Sequence, residues 1–139
     1  MPQFTLEGEG RWMRIVTPCI VSPTPDKQQR ADVKKLACDS AEWDTGSMVT
    51  IISERVASEL CLKKTGITTI SGVDGRPIKA NTYLVNLQFP GELKSNFVEV
   101  VEAPLLTQDL LVGMDIISEC NFLYSFQDGK SSLFVSREW

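Results

Sequence analysis

From Arg11 to Val135 the chain alternates short runs of apolar and β-branched residues with polar stretches rich in turn formers, and the apolar runs are mostly too brief for long helices. Arg11 to Ser22 reads as a strand ended by Pro23-Thr24-Pro25-Asp26, and Lys27 to Lys35 as a solvated hairpin loop. Leu36 to Trp43 alternates weakly, enters the turn Asp44-Thr45-Gly46-Ser47, and leads into the β-prone run Met48 to Ile52. Ser53 then precedes Glu54 to Cys61, where Val56 and Leu60 lie four apart on one face and predict a short capped helix. Ile67 to Phe89 reads as a long hairpin around Gly72-Val73-Asp74-Gly75-Arg76-Pro77, with Asp74-Gly75 as a two-residue turn. Further strands are predicted over Phe97 to Glu102 and Leu110 to Val112, then a helix over Ile116 to Cys120 capped by Asp115. A final hairpin joins Leu123 to Phe126 with Ser132 to Val135 through Asp128-Gly129. Neither Met1 to Gly10 nor Arg137 to Trp139 shows a decisive strand pattern. Seven or eight short strands and two short helices predict an all-β barrel or sandwich, as one domain over residues 1–139.

Composition narrows the chemistry. Lys+Arg 14 against Asp+Glu 18 leaves a net charge of −4, and the pI is near 4.8. With no basic cluster, nucleic acid is not the expected partner, since phosphate neutralisation supplies most of such affinity. The sequence has no histidine, which removes Ser-His-Asp and Cys-His nucleophile activation and most zinc sites. Cys19, Cys38, Cys61 and Cys120 are widely spaced without a C-x-x-C pair, and read as four free thiols. The N-terminal residues carry no signal-peptide pattern and no apolar run approaches the ~20 residues a membrane span needs. These readings place the protein away from membranes, in a reducing compartment such as the cytoplasm, with no metal or cofactor expected.

What remains is a carboxylate. Asp44 stands at a turn between two apolar strands, and Gly46 beside it lets another segment of backbone come close. Taken alone, an Asp-Thr-Gly tripeptide is a weak signal and reads more readily as a turn aspartate bonded to its own backbone. The order of elements adds to it: an apolar approach, Asp44-Thr45-Gly46-Ser47, Ile51-Ile52-Ser53 and a helix, a glycine-bearing hairpin, then Leu110-Leu111-Val112-Gly113-Met114-Asp115-Ile116-Ile117. Over residues 11 to 136 this resembles the retropepsin-like aspartic proteases, most closely the single-domain bacterial or domesticated branch.

The resemblance implies a closed acid-protease barrel with one or two short helices and a flap hairpin. It implies that Asp44 is the catalytic carboxylate, that Thr45 ties two active-site turns together, and that Gly46 offers its carbonyl to substrate. Ser47 and Met48 would contact the bound peptide, Gly72, Val73, Asp74 and Gly75 would form the flap tip, and Leu111 and Val112 would line or support the substrate pockets. The same hairpin also fits an ordinary surface loop, and Leu111 and Val112 also fit plain core. Viral members carry alanine where Ser47 stands and acidic residues near Met48 and Val49, so this chain departs from them there. The Ser47 hydroxyl is expected to donate to the Asp44 carboxylate and to favour its ionised form. One Asp-Thr-Gly turn per chain implies a C2 homodimer, because the mechanism uses two carboxylates. The expected partner is a peptide or protein substrate, and a non-catalytic peptide- or protein-binding module of the same fold is the alternative.

Overall fold

The computed structural model describes residues 1–24, 34–72, 74–105 and 107–138. Most of the polar stretch Lys27 to Lys35, and Val73, lie outside the described residues.

Six strands close a barrel. They are β2 (Val16–Pro23), β3 (Leu36–Trp43), β4 (Ile51–Ile52), β6 (Pro77–Gln88), β7 (Lys94–Glu102) and β8 (Leu110–Val112), ordered β2-β3-β8-β4-β7-β6, with β2 pairing back onto β6. A seventh strand, β5 (Gly66–Ser71), pairs among the described residues only with β6, so the β5–β6 hairpin projects from the ring. A three-stranded sheet, β1-β10-β9, is made of β1 (Gln3–Glu9), β9 (Asn121–Gln127) and β10 (Lys130–Ser136). The ten strands among the described residues and the closed barrel agree with the expected retropepsin-like fold, with more strands than the pattern showed.

β1 is the main addition. Phe4 is buried and Leu6 and Gly8 half-buried, alternating with exposed Gln3, Thr5, Glu7 and Glu9. The alternation is real, but Gly8 stands where an apolar side chain would announce it; the Trp12 ring fills that space, 2.9 Å from where a Cβ would be. The turn Pro90–Glu92 joins this sheet to the barrel. Gly91 has φ +69, and a Cβ there would stand 1.9 Å from the Gln3 carbonyl oxygen.

Other boundaries move as well. β2 begins only at Val16, and Met48 to Thr50 form a turn instead of extending β4, because Thr50 is tied down by side-chain bonds described below. The β9–β10 turn is as expected, with Asp128 and Gly129 both at positive φ (53 and 76). The β5–β6 tip differs from the expected two-residue turn at Asp74-Gly75. Gly75 N–H donates to Gly72 O (2.9 Å) and Gly72 N–H to Arg76 O (2.8 Å), so Gly75, at φ +79, is the left-handed residue after the turn.

The core is aliphatic, with Val21, Ile52, Val56, Val85, Leu87, Leu93, Val100, Leu110 and Val112 fully buried. Trp43, the last residue of β3, anchors one end of it. Its ring packs on Phe89 (4.9 Å between centroids), Phe122 (5.5 Å) and Phe4 (6.4 Å), and its Nε1 donates to Thr17 Oγ1 at 2.9 Å. A ring buried this way with its one donor satisfied is worth roughly 3–5 kcal/mol against truncation, and it fixes the backbone immediately before Asp44. Helix α1 (Glu54–Glu59) starts as predicted, with Ser53 Oγ accepting from Val56 N–H at 3.3 Å. All four cysteines are free thiols, Cys19 and Cys38 buried and directly opposed across β2 and β3. Among the described residues no helix is long and apolar enough to cross a membrane.

Candidate active site

The Asp44 turn is held from both sides. Trp43 pairs with Val112 in the parallel β3–β8 ladder, and Asp44 N–H continues it by donating to Val112 O at 2.9 Å. Within the turn, Gly46 N–H donates to Asp44 Oδ1 (2.8 Å) and Ser47 N–H to Asp44 O (3.2 Å). A Cβ on residue 46 would stand 3.1 Å from Oδ1, so glycine leaves the carboxylate uncrowded. Asp44 is half-buried, while Thr45 and Gly46 are exposed at the turn's crest.

Ser47 does something other than expected. Its hydroxyl donates to the Val49 carbonyl at 2.6 Å rather than to the Asp44 carboxylate. The chain reverses between 47 and 49, which brings that carbonyl within reach of the hydroxyl and closes the turn on itself. Met48, at the outer corner, is 83% exposed.

A second turn interlocks with the first. Met114 N–H donates to Ser47 O at 2.7 Å, and Gly113 packs so tightly that a Cβ would stand 2.4 Å from Val49 O and 2.9 Å from Ser47 O. Thr50 ties the pair together: its N–H donates to Asp115 Oδ2 (3.0 Å), its hydroxyl donates to Asp115 Oδ1 (2.8 Å), and its Oγ1 accepts from Gly113 N–H (3.2 Å). The expected helix becomes α2 (Met114–Ile117), capped two residues earlier than predicted. Gly113 is its N-cap, and Asp115 lies inside the first turn, where Oδ1 still accepts from Ile116 N–H. Thr50 is a residue that sequence reasoning missed. Its signal was slight: one polar position inside the apolar run Met48 to Ile52.

Two concave regions flank this pair of turns. One, of about 340 Å³, is lined by Met13, Ile15, Trp43, Asp44, Thr45 and Phe122. At its edge Glu42 accepts from the Arg14 guanidinium and from Gln108 Nε2 (2.8 Å). Burial of Glu42 works to raise its pKa, but the Arg14 and Gln108 hydrogen bonds outweigh it and hold the carboxyl below its usual range. The other, of about 520 Å³, lies between the barrel and the β5–β6 hairpin, and brings Ile51 and Leu111 together with Ile70, Gly72 and Ile78. Leu111 and Val112 part company across β8: Leu111 faces this cavity and Val112 is fully buried in the core. Asp74 and Gly75 stay exposed at the hairpin tip, with Arg76 N–H donating to Asp74 Oδ1 at 3.0 Å. The hairpin thus meets Leu111 in this cavity, while Asp44 lines the first. Among the described residues no group of three or more Cys, Asp or Glu is placed to hold a metal ion.

The arrangement offers a half-buried carboxylate on a rigid turn, beside a groove under a projecting hairpin. Comparison with solved structures finds a retropepsin-like aspartic protease from Rickettsia conorii, at 15% identity and a TM-score of 0.56, covering 95% of this chain and 92% of that one. At that identity the likeness is one of fold. A search of curated proteins gave no match. The family model described as aspartyl protease matches residues 31–116, a span holding the Asp44 turn, the hairpin and the Gly113 segment, and the chain belongs to that family.

Proposed function

We propose that the protein is an aspartic endopeptidase that acts as a symmetric homodimer, with Asp44 of each protomer forming the catalytic pair. The observation that carries this reading is the Asp44 turn, fixed by Trp43 on one side and Val112 on the other, with Gly46 sparing the carboxylate a steric neighbour. Each chain has one Asp-Thr-Gly turn, so a second carboxylate has to come from a second copy. Thr45, exposed at the crest, is suited to the contact between the two turns.

The chemistry follows from bringing two carboxylates together. Two such groups a few ångström apart do not both ionise, so they share one proton and titrate as a pair. The ionised member takes a proton from a water poised between them as that water attacks the scissile carbonyl. The protonated member hydrogen-bonds the carbonyl oxygen, and the amine leaves with a proton returned from the pair. The β5–β6 hairpin acts as the flap, laying its Gly72 end over an extended peptide and excluding water. The exposed Gly46 carbonyl and the Ser47–Met48 corner support the peptide backbone. The four free thiols support placement in a reducing compartment such as the cytoplasm.

One observation favours a second reading, a binding module without turnover: Asp44 Oδ1 is already satisfied by Gly46 N–H, as in a purely structural turn. Cleavage of a mixed peptide library separates the two. The protease reading expects Asp44→Asn to keep the fold and lose at least ~10³-fold in kcat/KM, and expects wild-type activity to rise faster than linearly with protein concentration. A folded wild-type dimer that binds peptides without cutting them, unaffected by Asp44→Asn, would establish the binding module instead.

A further inference from the structure

We infer that the cavity under the β5–β6 hairpin selects a substrate side chain with an apolar stem and a cationic head, lysine or arginine, through Glu54 and Glu102. This rests on the protease reading and adds to it a substrate preference that the apolar residues Leu111 and Val112 alone would not suggest.

The walls of the cavity are aliphatic: Ile51 and Leu111 from the barrel, Ile70 and Ile78 from the hairpin. Its volume of about 520 Å³ lies within the ~300–1,000 Å³ common for ligand pockets. That leaves room for a long side chain and the backbone carrying it. The polar part of the lining is acidic on balance. Glu54, at the start of α1, is exposed and has no ion-pair or hydrogen-bonding partner among the described residues. Glu102, at the end of β7, is half-buried and uses Oε1 to accept from Tyr83 O–H at 3.0 Å, which orients the carboxylate. Lys79 shares the lining and is ion-paired with neither of them. Arg55, next to Glu54 in the chain, is committed elsewhere, to Glu59 and Asp109. Two carboxylates against one ammonium leave the pocket short of positive charge.

That combination is complementary to one kind of side chain. Lysine and arginine lay methylene stems along apolar surface while keeping the charged head toward water or an acid. A plain aliphatic side chain would fill the walls and leave both carboxylates unanswered. An acidic one would meet Lys79 but also two like charges.

The test is cleavage of a mixed peptide library, with products sequenced, by wild type, Glu54→Gln, Glu102→Gln and the double variant. Asp44→Asn serves as the blank, and Glu99→Gln, an exposed acid on β7 that lines no described cavity, as the charge control. Matched peptides carrying lysine, norleucine or glutamate at the selected position then give kcat/KM ratios. The expected result is enrichment of Lys and Arg at one position near the cut, and a lysine-over-norleucine preference of about 5-fold in wild type and Glu99→Gln that falls toward one in the double variant. Asp44-dependent cleavage without that enrichment, with enrichment of glutamate, or with a lysine preference that survives the double variant would overturn this inference and leave the protease reading standing. Absence of any Asp44-dependent cleavage would overturn both.

Discussion

A serine hydroxyl two positions from a carbonyl that points back at it is already used. In this chain the Ser47 hydroxyl closes its own turn on Val49 O, so Ser47→Ala should cost about 0.5–1.5 kcal/mol in chemical denaturation and leave the pH profile of peptide cleavage where it was. A shifted profile would mean that the hydroxyl reaches Asp44 during turnover. Glu42 makes a second residue-scale case. Its pKa is held below the usual value, so the ionised form is favoured in the folded state, and the stability it brings is present above the ordinary glutamate range and lost as pH falls through the folded value. Glu42→Gln should therefore be less stable than wild type at neutral pH, by under about 1 kcal/mol given the half-exposed Arg14, and the difference should vanish in acid. Urea midpoints at several pH values would show it. At this scale the sequence is informative about residue type and much less about partners. Asp44 is legible as a turn carboxylate because its neighbours in the chain make the turn. The partners of Thr50 and Asp115 lie 65 residues apart, and nothing local announces them.

Gly113 shows what two elements demand of each other. Its φ of −93 is ordinary, so the requirement for glycine comes from space alone, with Val49 O and Ser47 O where a side chain would begin. Gly113→Ala should destabilise by at least about 3 kcal/mol, since backbone on both sides must move, and should disturb the Asp44 turn in the same step. A melting temperature close to wild type would show that the two turns are looser than described. Most elements were readable because alternation and turn residues coincide, as in the Asp128–Gly129 hairpin. β1 was hidden by Gly8 and its flanking glutamates. Met48 to Thr50 read as strand because β-prone residues there serve a turn locked by tertiary bonds, which outweigh local propensity.

At the scale of the molecule, the barrel closes through β2 on β6, with Ile20 opposite Gln88 and Pro23 opposite Val85. Pairing at that separation is invisible to a local pattern, so sequence reasoning reaches a β barrel through resemblance to a family rather than through register. The same resemblance is what suggests a flap role for the hairpin, and the structure adds the acidic lining of the groove beneath it.

The pairing of β1 with β10 sets how the molecule would give way when pulled. Gln3 lies opposite Ser136 and Glu9 opposite Lys130, and Arg137 N–H donates to Pro2 O at 3.2 Å. Tension applied through residues 2 and 137 runs across the rungs of this ladder instead of along its strands, because antiparallel hydrogen bonds stand perpendicular to them. The rungs then carry the load one at a time. Stretched between these two points in an optical trap, the protein should peel open at low force from the terminal sheet inward, whereas handles at residues 3 and 130, which load the same strands in shear, should require a markedly higher force.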